Sequence, residues 1–217
     1  MAVYDLEEQE QLAELKAWWA QYGWIVTAVA VIAAVASVSW QGWQWYQRKQ
    51  TAEAAALYSV VQKAVVDSDA AAARQAAGQI LENYSSTVYA PLAALMSAKV
   101  QQAAGDTGNA ALPLEWVTKN ADEPVMRDIA RLRLAAVRLD AGDTAAALAL
   151  LADEPSAALK VRHYDLRGDA LVADGKVDEA RTAYQTALDA ANAVIVPGDR
   201  SAEIIRIKLD ALLGGAR

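Results

Sequence analysis

Apolar residues follow two patterns along this chain. Between Lys16 and Arg48 they form one run without a formal charge, WWAQYGWIVTAVAVIAAVASVSWQGWQW over residues 18–45, whose centre is almost entirely Ile, Val and Ala. A helix over residues 23–43 is about 30 Å long at about 1.5 Å per residue, enough to cross the hydrocarbon of a bilayer. Trp18, Trp19 and Trp24 flank the centre on one side and Trp40, Trp43 and Trp45 on the other. Indole rings favour the two membrane interfaces, where the ring is buried and the N–H stays wet. The pattern predicts a spanning helix. Ala30 with Ala34, and Ala33 with Ser37, make small-xxx-small pairs suited to packing on another membrane helix.

After Gln50 the apolar positions take helical spacing, interrupted by short breaks. Residues 51–66 place Leu57, Tyr58, Val61 and Val65 on one face of a helix that continues from the span. Asp67-Ser68-Asp69 breaks it and offers a cap to the next helix, residues 70–82. The next break is at residues 84–87. Three later segments, residues 92–111, 130–151 and 164–188, then share one signature: an Ala/Leu-rich helix, a glycine turn and a second helix opening with alanine. The turn glycines Gly105, Gly142 and Gly175 are 37 and 33 residues apart, close to the roughly 34-residue period of a tetratricopeptide repeat. Glycine ends the first helix of each pair by taking a left-handed conformation cheaply. Ala98, Ala135 and Gly168 on the first helices, and Ala147 and Ala180 on the second, are small enough for close approach. Gly168, Leu171, Gly175, Ala180, Tyr184, Ala187 and Leu188 all fit the repeat, so the third segment matches best. The second has Leu151 at the aromatic position, and the first is expected to have a turn three residues longer, containing Gly108. Pro197-Gly198 is expected to end the last pair, and residues 201–213 to form a terminal helix covering the end of the stack.

Composition narrows the class. Strand-like alternation is missing, so the fold class is all-α: a single N-terminal transmembrane helix followed by a tetratricopeptide-like α-solenoid. The domains expected are a short acidic tail (1–22), the span (23–45) and the repeat domain with its terminal helix (46–217). A net charge of −7 and the lack of a basic patch argue against nucleic acid, and without cysteine there is no disulfide framework. The leader, with Asp5, Glu7, Glu8, Glu10 and Glu14, lacks the basic start of a cleaved signal peptide, so an anchor that stays attached is expected.

Short acidic leader, single span and degenerate repeats together resemble the YfgM-type ancillary subunits of the bacterial Sec translocon, over nearly the full length. The residues that carry the likeness are LAELKAWWAQYGW (12–24), the aromatic exit (40–46), RLRLAAVRL (131–139) and, most specifically, LRGDALVADGKVDEARTAY (166–184). The resemblance implies a single-pass inner-membrane protein with a cytoplasmic N-terminus and a periplasmic repeat domain beside the SecYEG channel. It also implies a PpiD-like membrane-anchored chaperone as companion, unfolded or emerging secreted proteins as clients, and their transfer to periplasmic chaperones. The count of basic residues leans the other way, with Arg48, Lys49 and Lys63 beyond the span against Lys16 before it. That difference is small, and long domains translocate despite a slight basic excess, so the implied orientation is the one expected.

Candidate chemistry is sparse. His163 is the single histidine, no nucleophile elbow or phosphate loop occurs, and neither enzymatic activity, a cofactor nor a metal is expected. Asp165 and Asp169 share a helix face and read as part of a polar groove wall. In a repeat stack the first helices line the binding face, which places Leu92, Leu95 and Lys99, then Ile129, Leu132, Ala136 and Leu139, then Arg162, Asp165, Asp169 and Val172 there. The expected surface is a peptide-binding groove with an apolar floor and a polar end. Trp116 is expected to pack in the core. A structural scaffold of another envelope assembly, with fixed partners, is the alternative.

Overall fold

The computed structural model describes residues 2–193 and 199–214, with side chains for residues 10–193 and 199–212. The expected stop at Pro197-Gly198 and the acidic side chains of residues 5–8 lie outside these. Nine α-helices are described, and no strand is found among the described residues: α1 (Ala2–Val66), α2 (Ala70–Asn83), α3 (Tyr89–Ala103), α4 (Thr107–Asn120), α5 (Pro124–Asp140), α6 (Thr144–Leu150), α7 (Lys160–Ala173), α8 (Val177–Ala193) and α9 (Ser201–Gly214), with one 3₁₀ turn, Ala157–Leu159. The chain divides into two compact units, Met1–Gln50 and Thr51–Arg217.

In the first unit helix α1 runs without a break from the leader through the apolar run. Val29 is 60% exposed, Ile32 68% and Val38 70%, and all six flanking tryptophans are exposed. Only Gly23 is buried among residues 10–46, and what covers it is Trp19, whose ring stands 3.0 Å from where a Cβ would be. The hydroxyl of Thr27 donates to the Gly23 carbonyl at 2.8 Å, which removes a free polar group from the run. An apolar helix of this length in a soluble core would be buried; this one is long and apolar enough to cross a membrane.

The second unit is a stack of helix pairs. The last turns of α1 pack Val61 against Ala76, Ala77 and Ile80 of α2 and Ala90 and Ala93 of α3. Asp69 caps α2 by accepting from the Ala72 amide at 2.9 Å, as its position after Asp67-Ser68 predicts. The three turn glycines take φ of +79°, +80° and +76°. In each turn the residue after glycine donates its amide to a carbonyl five residues back, Asp106 to Gln101, Asp143 to Arg138 and Lys176 to Leu171, all at 2.9 Å. That bond closes the first helix. Asp106 and Asp143 then open the second helix as well, accepting from the Asn109 and Ala146 amides at 3.1 Å.

The equivalence of Gly105-Asp106-Thr107 and Gly142-Asp143-Thr144 corrects the longer turn expected in the first repeat. Gly108 lies in the first turn of α4, and the longer spacing arises later in the period. Helix α6 is short, ending at Leu150, and Leu151 is fully buried at the aromatic position.

The core is built on alanine. Ala98, Ala135, Ala147, Ala180 and Ala187 are all 2% exposed or less, and Leu114, Val117, Leu134 and Val137 fill the space between the closely spaced helices. Gly168 is buried against Tyr184, where a Cβ would fall 2.8 Å from Cζ of the ring and closer still to two other ring carbons. Consecutive first helices touch, α3 with α5 and α5 with α7, as in a repeat stack.

Candidate peptide-binding groove

Helical spacing sets out the site. Positions 129, 132, 133 and 136 recur every three or four residues along α5, and 159, 162 and 166 do the same through the 3₁₀ turn and α7. These residues line an open cleft of about 340 Å³: Ile129, Leu132, Arg133 and Ala136 on one wall, Leu159, Arg162 and Leu166 on the other. Ile129 also packs against the core behind it. Leu132 lines the cleft while only half-buried.

The remaining expected groove residues separate. Leu92 lines another depression, of about 250 Å³, with Val88, Trp116, Met126 and, at its rim, Asp122 and Glu123. Trp116 is half-buried, packed on the core and open to that depression. Leu139 is half-buried outside both. Leu95 departs from expectation: it is 6% exposed and belongs to the core of α3, α4 and α5, packed with Leu114, Val117 and Leu134.

Asp165 and Asp169 do not form an open polar end. Lys208 of α9 donates to Asp165 Oδ1 at 2.7 Å and to Asp169 Oδ2 at 2.9 Å, and the Tyr184 hydroxyl donates to Asp169 Oδ1 at 2.6 Å. Burial works against the Lys208 ammonium, but its bonds to the two carboxylates outweigh that and raise its pKa. Burial, then the hydrogen bond to Asp169, pushes the Tyr184 phenol far up. His163 is 4% exposed, and burial, then the charge of Arg167, holds the pKa of its imidazole below the ordinary value. No group of three metal-ligating side chains occurs among the described residues.

Arg133, Leu159 and Leu166 had no place in the groove read from the sequence. Arg133 was legible in principle, since it follows Ile129 by four residues on the same face. Its guanidinium donates to the Leu95 carbonyl at 3.0 Å, which fixes one edge, and the other N–H groups have no partner among the described residues. Partial burial, then the neighbouring Arg162 charge, lowers its pKa. The cleft thus offers apolar contact flanked by two cations, with no nucleophile or base in it.

The tetratricopeptide repeat-like domain family matches residues 16–214. The chain belongs to this family. Among known proteins it is similar to an ancillary SecYEG translocon subunit of Haemophilus influenzae, 28% identical over 85% of this chain and 90% of that protein. Proteins of the same description from Aggregatibacter actinomycetemcomitans (28% identical, 96% and 99% covered) and Neisseria gonorrhoeae (29%, 95% and 98% covered) match it likewise. These relatives bear out the resemblance to YfgM-type subunits read from the tryptophan-rich span and the third repeat. No solved structure matches the chain.

Proposed function

We propose that the chain is a membrane-anchored, non-enzymatic repeat scaffold of the Sec translocon. Residues 23–45 span the inner membrane once, with residues 1–22 cytoplasmic and the repeat domain, residues 46–217, in the periplasm. There the groove takes up proteins emerging from SecYEG and passes them to periplasmic chaperones, beside a PpiD-like companion. The observation that carries this reading is the open, largely apolar cleft between α5 and α7, which no helix among the described residues fills. Two Leu-sized side chains buried in it contribute about 3–6 kcal/mol before the entropic costs of association. Such contacts are weak. Tethering near a channel exit raises the local concentration of client enough for them to act, and weakness lets the client leave.

A topology reporter fused after Arg217 tests the arrangement. Activity of a periplasm-dependent reporter is expected, and a cytoplasmic signal removes the mechanism. The depression beside Trp116, with its acidic rim, favours the second reading, a scaffold with one fixed partner. One crosslinked product of constant size, independent of secretion, would support that reading instead.

A further inference from the structure

We infer that the α5–α7 cleft selects extended segments carrying a glutamate or aspartate side chain between apolar residues, with Arg133 and Arg162 as the recognising pair. This rests on the proposed peptide-binding role and names the chemistry of its clients. The protein is acidic, with a net charge of −7, yet two guanidiniums line the same small cleft. Neither makes a salt bridge among the described residues. Other arginines here do find carboxylates: Arg138 meets Glu115 at 2.6 Å, and Arg181 meets Asp178 at 2.9 Å. The field of Arg162 reaches Asp199, whose carboxyl is held down first by its bonds to Ser201, but the two form no ion pair. Two like charges facing one cavity are mutually unfavourable, and a carboxylate between them relieves that while taking hydrogen bonds from both forks.

The occupant is an internal acidic side chain rather than a chain end, because the depression continues. A second cleft of about 450 Å³, lined by Ala157, Lys160, Val161, Ala190 and Asp199 among others, shares Arg162 with the first. A segment can therefore run past the guanidinium. Leu132, Ile129 and Leu166 receive its neighbouring apolar residues.

The test uses the full chain in detergent micelles and three fluorescent, end-blocked ten-residue peptides of Leu, Val and Ala, carrying a central Glu, Gln or Lys. Anisotropy titrations are expected to show the Glu peptide binding on the order of ten-fold tighter than the Gln peptide, with the Lys peptide weakest. R162Q is the primary variant because Arg162 carries no hydrogen bond within the chain among the described residues, and R133Q is the second. R162Q is expected to erase the Glu preference and leave the melting temperature unchanged; R133Q, which also gives up the bond to the Leu95 carbonyl, is expected to erase it with a small fall in melting temperature. Equal binding of Glu and Gln peptides overturns the selectivity while leaving a peptide-binding groove in place. No binding of any peptide overturns both.

Discussion

Gly168→Ala is the substitution on which the packing argument makes its sharpest demand. An added Cβ would stand 2.8 Å from Cζ of Tyr184, inside any distance that real Cβ atoms keep. The ring has little room to retreat, being 3% exposed within the α7–α9 cluster and tied through its hydroxyl to Asp169 at 2.6 Å. Overpacking costs about 1–3 kcal/mol, and displacement of the phenol loses a hydrogen bond to a charged group worth about 1.5–3 kcal/mol. Alanine's better helix propensity returns about 1 kcal/mol. The net loss is about 1.5–5 kcal/mol, a fall of roughly 3–20 °C in melting temperature for a domain of this size. Tyr184→Ala is itself expensive, about 3–5 kcal/mol. In that background the obstacle is gone, and Gly168→Ala should raise stability by about 1 kcal/mol. Thermal melts of the full chain in mild detergent, followed by circular dichroism at the helix band, read both. An equal loss in the two backgrounds would refute the account of Gly168 as a contact-enforced glycine.

Three further outcomes are expected. Gly142→Ala, at φ +80°, should cost about 1–2 kcal/mol in the same melts, whereas Gly108→Ala, inside α4, should be neutral or slightly stabilising; the reverse order would restore the longer first turn. Because the folded pKa of His163 is depressed, its contribution is present above its unfolded value of about 6.5 and lost as pH falls through the lower folded value. Melts from pH 7 to 4 should therefore show a smaller acid loss for His163→Gln, and an unchanged slope would contradict this. Lys208 has a raised folded pKa, so its contribution is complete below the unfolded value of 10.5 and lost as pH rises through the folded one. Lys208→Met should flatten the alkaline arm of the stability profile, leaving the part due to Tyr184, whose raised pKa acts in the same direction.

Much of this fold was legible because the signals are local. An uncharged apolar run with tryptophans at both ends, an aspartate after a helix break, and glycines one repeat apart each report on a few neighbouring residues, and the structure puts the run in one long exposed helix, Asp69 at the start of α2 and the three glycines at helix ends. What was missed depends on distant partners. Lys208 meets Asp165 and Asp169 from 43 and 39 residues away, so the carboxylates looked like an open polar wall until α9 was in place. Leu95 and Leu132 both occupy the first helix of a repeat, yet one is core and the other lines the cleft. Alanine-rich helices make inward and outward faces look alike, and small differences in rotation decide which leucine is covered. Gly108 misled for a related reason. A second glycine near a turn suggests a longer turn, while the aspartate that closes one helix and opens the next fixes its length at Gly-Asp-Thr.

The central claim is that this chain holds an open cleft where secreted proteins emerge, and that they pass through it. A photoreactive amino acid at position 132, in the cleft, compared with one at the exposed position 112 on α4, measures this in cells with secretion switched on and then blocked. The account predicts many products of different sizes from position 132, appearing only while secretion runs, and few from position 112. Absence of products from position 132, or the same products whether or not secretion is active, would contradict it.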